Sequence, residues 1–228
     1  MSLTATKRTR GDAAYDQLRG AILTGRFQPG SRLKFSDLAA ECDVSMSVLR
    51  EALTRLAAEG LVTNEPNVGY AVMELSPDRL TELTDARLEI EGLVFARSIR
   101  DGDLAWESQM VAALHVLDST PFLTSAPPPR VTEEWAHAHA AFHRALLQGC
   151  ANRRLYAMAD GLRDESELYR RWSQHLGDEK DRDLRGEHRR LLELALARDA
   201  DAAVGALRDH IAHTTELLLQ AGRGLHAQ

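Results

Sequence analysis

The stretch SDLAAECDVSMSVLREALTRLAAEGL, residues 36–61, predicts two short helices joined by a tight turn at residues 42–44. Ser36 and Ser45 suit N-cap positions, because a short hydroxyl satisfies an otherwise unpaired backbone N–H. Apolar residues recur at i, i+3, i+4 and i+7 in the second helix and form one face: Leu49, Ala52, Leu53 and Leu56. The pattern fits a DNA-binding helix-turn-helix and, equally well, a generic helical hairpin.

The flanking segments favour the DNA-binding alternative. Upstream stands LRGAILTGRFQPGSRL at residues 18–33, and downstream stand EGLVT at 59–63 and NVGYAV at 67–72. The whole run resembles the winged helix-turn-helix of the GntR family of bacterial transcription regulators. The shared elements are the L-R-x-x-I-L-x-G-x-x-x-P-G-x-x-L opening, the R-E-A-L-x-x-L-x-x-E-G-L-V recognition helix and a glycine-containing wing.

The resemblance implies a set of DNA contacts. The recognition helix presents four residues to the major groove, Ser45, Met46, Ser47 and Arg50, and the wing from Asn67 to Gly69 reaches towards the minor groove. Arg50 is the candidate for a guanine contact, since arginine can bond O6 and N7 together, and a phosphate contact is the alternative. Many relatives carry arginine where this chain has Met46, and a charged residue where it has Ser36. Because these two charged groups are missing here, Arg32 and Lys34, just before the second helix, are the candidates for phosphate contacts.

The charge of the chain is unevenly distributed. The 228 residues carry a net charge of −6, but residues 1–74 hold 9 Lys and Arg against 9 Asp and Glu, and residues 75–228 hold 19 against 25. All the excess acid thus lies beyond the predicted DNA-binding part. The basic side chains of residues 7, 8 and 10 precede the first helix, either as an arm along DNA or as a solubilising tail.

Composition restricts the class of protein. No stretch approaches the length and apolarity of a membrane span, and the N-terminus lacks the apolar core of a signal peptide. Cys42 and Cys150 carry no motif and lie in separate predicted helices, so both are expected to be reduced. The sequence therefore predicts a cytoplasmic protein with no membrane partner.

Periodicity predicts a mainly α fold with two domains. A helix over 12–24 precedes the helix-turn-helix, and a hairpin at 62–63 and 70–73 forms the wing, giving a DNA-binding domain at 1–74. Residues 75–228 are predicted to be an all-α bundle for effector binding, metal binding and dimerisation. Its helices are expected at 78–101, 103–118, 132–150, 152–175, 179–198 and 200–221, with a proline-rich irregular segment at 119–130.

Four histidines of the bundle are candidate metal ligands. His139 and His143 are four residues apart on one helix and point the same way, while His188 and His210 each follow an acidic residue. Neutral imidazole is a common ligand of zinc and similar ions. From spacing alone, buried or surface histidines without a metal are the stronger alternative.

An all-helical domain of this length behind a GntR-type head resembles the FCD effector-binding domain of the FadR-like branch. The matching segments lie at 83–91, 142–155, 187–192 and 199–211. The resemblance implies that His143, His188 and His210 bind a divalent metal. A carboxylate usually precedes the first of them by four residues, and here that position is His139. Four nitrogen ligands favour Zn or Ni and leave a higher positive charge, which favours an anionic effector.

Arg87 is the candidate effector-binding residue. The resemblance implies that its guanidinium faces the pocket, where it can grip a carboxylate in bidentate fashion. A salt bridge to Glu91, four residues later on the same helix, is the alternative, and both can hold together.

These features support three functions. The first is a transcriptional repressor that binds a pseudo-palindromic operator as a homodimer and responds to a small carboxylate bound near the metal. The second is a metal-dependent enzyme acting on a small acid, against which stands the lack of an H-E-x-x-H motif. The third is a bundle that the metal only stabilises. The first is the function that the sequence favours.

Overall fold

The computed structural model describes residues 9–65, 69–74, 76–125, 131–172 and 182–225. The chain divides into two compact units, Met1–Ser76 and Pro77–Gln228. None of the described helices is long and apolar enough to cross a lipid bilayer.

The first unit is a winged helix-turn-helix, as the sequence predicted. Its elements are α1 (Arg10–Leu23), α2 (Phe35–Cys42), α3 (Met46–Ala58), β1 (Val62–Glu65) and β2 (Gly69–Val72). The two strands are antiparallel, with Val62 opposite Val72. The segment before α2 pairs with the other edge of β2, since the N–H of Leu33 donates to the carbonyl of Tyr70 at 2.8 Å. The wing is therefore tied to the entry of the helix-turn-helix.

The predicted apolar face of α3 is confirmed, because all four of its residues are buried. The turn is formed by Asp43, which ends α2 in the left-handed region at φ 49°. Ser45 caps α3 by accepting the N–H of Val48. The predicted cap at Ser36 is wrong: α2 begins two residues earlier than this cap implies, at Phe35, and Lys34 occupies the N-cap position. The Ser36 hydroxyl donates to Asp37 instead.

The second unit is an all-α bundle, which confirms the predicted fold class. Its helices are α4 (Pro77–Asp101), α5 (Leu104–Ser119), α6 (Glu133–Leu147), α7 (Arg153–Trp172), α8 (Leu184–Leu196) and α9 (Ala200–Leu225). Helix α4 packs on α6, α7 and α9, and α5 packs on α6 and α8. The core between them is apolar, with Phe95, Phe142 and Met110 wholly enclosed.

Several predicted helix boundaries differ from the structure: α1 begins at Arg10 rather than at 12, α8 ends at Leu196 rather than at 198, and α9 continues to Leu225 rather than ending at 221. Helix α6 ends at Leu147 rather than at 150, and α8 begins at Leu184, where Asp183 caps it by accepting the N–H of Gly186 at 2.8 Å. Residues 173–181, over which one helix was expected to end and the next to begin, lie outside the described residues.

Helices α4, α5 and α6 meet at a close contact around Gly149. A Cβ atom at this position would lie 2.6 Å from the carbonyl oxygen of Ser98 and 3.0 Å from the ring of Trp106. That ring is held in place because its indole N–H donates to the carbonyl of Ala145 at 2.8 Å. The absence of a side chain at Gly149 therefore allows the end of α6 to approach α4.

We expect Gly149→Ala to lower the free energy of unfolding by about 1–3 kcal/mol, because the added methyl group meets backbone that cannot move aside. Gly205→Ala is the matched control: its Cβ would meet nothing within 4 Å on an exposed helix position, and it should raise stability by up to about 1 kcal/mol. Urea denaturation followed by circular dichroism measures both. Equal stability of the two variants would contradict the contact.

Candidate functional site

The four histidines predicted as metal ligands converge in the bundle. His139 and His143 come from α6, His188 from α8 and His210 from α9. All four are buried, none with more than 6% of its surface exposed. One potential ligand atom from each lies within 4.8 Å of the others. The fold thus brings together histidines from three different helices.

The geometry within the cluster suits a metal ion. The Nε2 atoms of His139 and His143 lie 3.1 Å apart. Two nitrogens that bind one ion at about 2.0–2.1 Å in tetrahedral geometry lie about 3.3–3.4 Å apart. His143 Nδ1 and His188 Nε2 are buried with no hydrogen-bond partner in the described part of the chain. A metal held by Nε2 of His139, His143 and His188 would give the last of these atoms a partner, so these residues fit such an ion.

The environment keeps these imidazoles neutral. Burial, followed by neighbouring positive charges, lowers the pKa of His139, His143 and His188 well below the usual value. Burial also lowers the pKa of His210 to about 4, and its hydrogen bond to Glu187 offsets only part of this effect. A neutral imidazole keeps a lone pair, and a lone pair is what a metal requires.

Glu187 orients His210. The Nδ1–H of His210 donates to Glu187 Oε2 at 2.7 Å, because a carboxylate can only accept, and this leaves the Nε2 lone pair free. Arg182 grips the same carboxylate with two hydrogen bonds of 2.6 and 2.7 Å. Burial alone would raise the pKa of Glu187, but these hydrogen bonds and charges lower it. An outer carboxylate of this kind commonly fixes a metal-binding histidine.

A small cavity beside the cluster carries positive charge. Its volume is about 20 Å³, roughly the room that one water molecule needs. Its polar and charged lining residues are Arg87, His139, His143, Arg163, Ser166, Glu167, Arg170, His210 and Thr214. Three of these are arginines and one is a carboxylate. An organic acid can enter only if side chains of the lining move.

The structure shows the predicted salt bridge of Arg87 to Glu91 and also places Arg87 in the lining of the small cavity. Its Nε donates to Glu91 at 2.6 Å, and another of its nitrogens donates to Ser166 at 2.8 Å, while the side chain also lines the cavity. Arg163 binds the other oxygen of Glu91 at 2.8 Å. Burial would raise the pKa of Glu91, but the two guanidinium groups outweigh it and lower the pKa. One buried carboxylate therefore holds two of the cavity's arginines.

A larger cavity of about 250 Å³ lies beside His188. Its charged residues are Asp118, Arg182, Asp183 and Arg185, two acids against two bases. This lining offers no excess positive charge to an anion. The small cavity, rather than the large one, is thus the better match to an acidic ligand.

Several residues of the site could not be predicted from the sequence. Arg163, Ser166, Glu167 and Arg170 lie on α7 among many other charged residues, and Arg182 stands before α8. The sequence does not determine whether Arg170, or the other polar residues Asp85, Asn152 and Tyr169, belong to the site. The structure uses Asn152 as a helix cap, because its Oδ1 accepts the N–H groups of Arg154 and Leu155.

The residues predicted to contact DNA lie on an exposed surface of the first unit. Those around α3 are all exposed: its N-cap Ser45, its residues Met46, Ser47 and Arg50, and the preceding Arg32 and Lys34. The guanidinium of Arg50 lies 5.1 Å from the ring centre of Phe35, whose ring packs 5.6 Å from that of Tyr70. This aromatic pair links α2 to the wing beneath Arg50, a role that the sequence did not indicate.

The wing is only partly described. Gly69 opens β2 with φ 97°, a backbone conformation that glycine adopts readily. Arg32 forms a β-bridge with Ala71, which places it next to the wing strand. Asn67 lies outside the described residues.

A winged helix-turn-helix with an exposed polar face on its second helix defines a DNA-binding transcriptional regulator. Residues 10–72 match the gntR family of bacterial regulatory proteins, and residues 82–213 match the FCD domain. The chain therefore belongs to the GntR family, in the group that carries an FCD domain. Regulators of this family bind DNA operators, and FCD domains bind metals.

Known proteins are similar to this chain over nearly its whole length. The HTH-type transcriptional repressor GlaR of Escherichia coli (strain K12) is 32% identical over 92% of this chain and 96% of its own length. BphR of Paraburkholderia xenovorans (strain LB400), an HTH-type transcriptional regulator, is 32% identical over 96% of this chain and 89% of its own. The solved structure of E. coli McbR/YncC shares the fold, with a TM-score of 0.73, 19% identity and coverage of 94% and 99%.

These relatives are transcriptional regulators and not enzymes, so the alternative of a metal-dependent enzyme is not supported. The prediction that the chain is no enzyme agrees with its family.

The neutral histidines predict how stability depends on pH in metal-free protein. Unfolded histidines bind protons below about pH 6.5, whereas the buried ones resist protonation until much lower pH. The unfolded state then holds more protons, so stability falls as the pH drops from about 6.5 to 4. We expect a loss of up to about 1.4 kcal/mol per pH unit for each buried histidine.

Chelator-treated protein, unfolded in urea at pH 7.5, 6.0 and 5.0, provides the measurement. His115→Gln, at an exposed position, should leave the slope of stability against pH unchanged. A flat profile between pH 7 and 5 is incompatible with four neutral buried imidazoles.

Proposed function

We propose that this regulator is a cytoplasmic repressor that binds a pseudo-palindromic operator as a homodimer and is released by a small organic acid bound beside a divalent metal. The observation that supports this most directly is the cluster of four buried, neutral histidines adjoining a cavity with three arginines. The name of GlaR, a repressor of similar length, supports the direction of control.

The metal is proposed to bind His139, His143, His188 and His210. The set contains only nitrogen donors, which favours Zn²⁺ or Ni²⁺ over ions that prefer oxygen. Glu187 acts through His210 as a positioning residue, because it fixes the tautomer that presents Nε2 inwards. When bound, the ion would supply a positive charge and, by expanding from four ligands to five, could accept an oxygen of the acid.

The effector is proposed to be a small carboxylate. Arg87, Arg163 and Arg170 give the cavity three positive charges, against which stand the carboxylates of Glu91 and Glu167, a net formal charge of +1. The metal would add two more. Arg87 is the proposed bidentate partner of the acid, since Glu91 already holds its guanidinium at the cavity wall.

The DNA contacts are proposed to come from α3 and its surroundings. Ser45, Met46, Ser47 and Arg50 would face the major groove, Asn67 and Gly69 the minor groove, and Arg32 and Lys34 the phosphates. One such head reads only a few base pairs, so two-fold pairing would supply affinity. The acid alters operator affinity only if it binds one arrangement of the dimer better than the other.

The role of Arg50 can be tested on an operator selected from random duplexes by the purified protein. We expect Arg50→Ala to weaken binding about 5- to 150-fold, the loss of one bidentate base contact. An unchanged slope of affinity against salt would identify a base contact, and a slope smaller by about 1 a phosphate contact. Arg208→Ala, which removes an exposed arginine of the second unit, should bind like the wild type. Equal binding by both variants would exclude Arg50 from the interface.

The control by metal and acid can be tested on the same operator. We expect His143→Gln to bind Zn²⁺ at least ~100-fold more weakly than the wild type, and Glu187→Gln about 10- to 100-fold more weakly. With Zn²⁺ present, acetate, glycolate or succinate should lower the operator affinity of the wild type but not of His143→Gln. His115→Gln should behave as the wild type. Operator affinity indifferent to Zn²⁺ and to every acid would refute the proposed control.

A further inference from the structure

Arg170 lies directly against one of the proposed metal ligands. One of its terminal nitrogens is 2.9 Å from Nδ1 and 3.3 Å from Nε2 of His139. The lone pairs of the two ring nitrogens diverge, so a group this close to both lies over the ring and not along either lone pair. The same imidazole stacks on Trp135, with ring centres 4.7 Å apart. His139 is thus in close contact with a cation.

The positive charge of Arg170 repels any other positive charge at the histidine cluster. After burial, the charge of Arg170 is the next largest cause of the lowered pKa of His139. A metal held by Nε2 of His139 would feel the same charge, with little water between to screen it. Glu167, which pairs with Arg170 at 3.1 Å, offsets the repulsion in part.

The composition of the ligand set makes the repulsion between Arg170 and a bound metal stronger. The cluster contains four neutral histidines and no carboxylate, so no ligand compensates the charge of the ion. The other two arginines of the cavity share the wholly buried Glu91, whereas Arg170 is the one that contacts a histidine of the cluster. An anion between Arg170 and the metal would be attracted by both charges and would weaken the repulsion between them.

We infer that metal and carboxylate bind this site as a mutually dependent pair, with Arg170 as the residue that couples them. The inference rests on the proposed function and extends it. Without an acid, Arg170 weakens metal binding; with one, the carboxylate takes Arg170 as its counter-ion and the metal as its second partner. Each ligand raises the affinity for the other by the same factor, so the protein responds to the two together.

The space in the cavity agrees with this coupling. At about 20 Å³ the cavity is too small for an organic acid while the guanidinium of Arg170 lies over His139. A carboxylate that draws this guanidinium away from the ring gains room in the cavity. The same movement would therefore make room for the acid and take the positive charge of Arg170 away from the metal.

The test measures Zn²⁺ affinity of chelator-treated, full-length protein by competition with a chromophoric chelator, at constant pH and without DNA. Glycolate is the acid, and glycolamide is its neutral counterpart of the same size. Binding of Zn²⁺ to free glycolate is measured separately and subtracted. We expect glycolate to raise the Zn²⁺ affinity of the wild type at least ~10-fold and glycolamide less than ~2-fold.

Arg170→Met removes the charge and keeps most of the side-chain volume. It should bind Zn²⁺ at least ~10-fold more tightly than the wild type without glycolate, and glycolate should then add less than ~3-fold. Arg154→Met, at an exposed position of the same helix, should match the wild type. Circular dichroism checks folding, and Arg170→Gln replaces Arg170→Met if the latter is unfolded. The absorption spectrum of bound Co²⁺ should change on adding glycolate to the wild type.

Each outcome is decisive. If the wild type binds Zn²⁺ equally well with glycolate, with glycolamide and without either, the coupling is overturned and the proposed metal site is retained. Arg170→Met binding Zn²⁺ no more tightly than Arg154→Met removes Arg170 from the coupling. No Zn²⁺ binding under any condition overturns the proposed metal site and, with it, this inference.

Discussion

Imidazoles packed together inside a protein must remain uncharged, because each proton would bring a positive charge into a medium that cannot solvate it. The bundle obeys this constraint at His139, His143 and His188, whose pKa values burial lowers, and at His210. Among the residues that the structure describes, Glu187 is an acidic hydrogen-bond partner of His210 alone of the four. The buried imidazoles therefore keep unshared lone pairs that are little exposed to water and that a cation can bind.

The arginines next to these histidines are balanced only in part. A buried ion pair seldom adds net stability over an apolar contact, since desolvation consumes most of the attraction. Glu91, with no exposed surface, nevertheless lies between Arg87 and Arg163 and links α4 to α7. One carboxylate for two guanidinium groups leaves positive charge facing the cavity. The chain as a whole carries −6, so this charge is local to the site and opposite in sign to that of the molecule.

The DNA-binding unit separates its two tasks between the faces of α3. Leu49 and Leu53, on the inner face, are wholly buried and anchor the helix, while Arg50 stands on the outer face. The ring of Phe35 lies below Arg50 and against Tyr70. The guanidinium is thus supported by packing that also holds the wing, and its position depends on α2 and β2 as well as on its own helix.

The sequence by itself determined the features that repeat locally. The spacing of Leu49, Ala52, Leu53 and Leu56 specified the inner face of α3, and a separation of four residues placed His139 and His143 side by side, because both depend only on the period of a helix. Resemblance added His188 and His210, and the structure places them in the same cluster. Only the tertiary structure decided that Arg163 and Arg170 of α7 face this cluster. Charged residues of an exposed helix and of a buried site look alike in sequence, and which of them is enclosed depends on how α7 packs against α4.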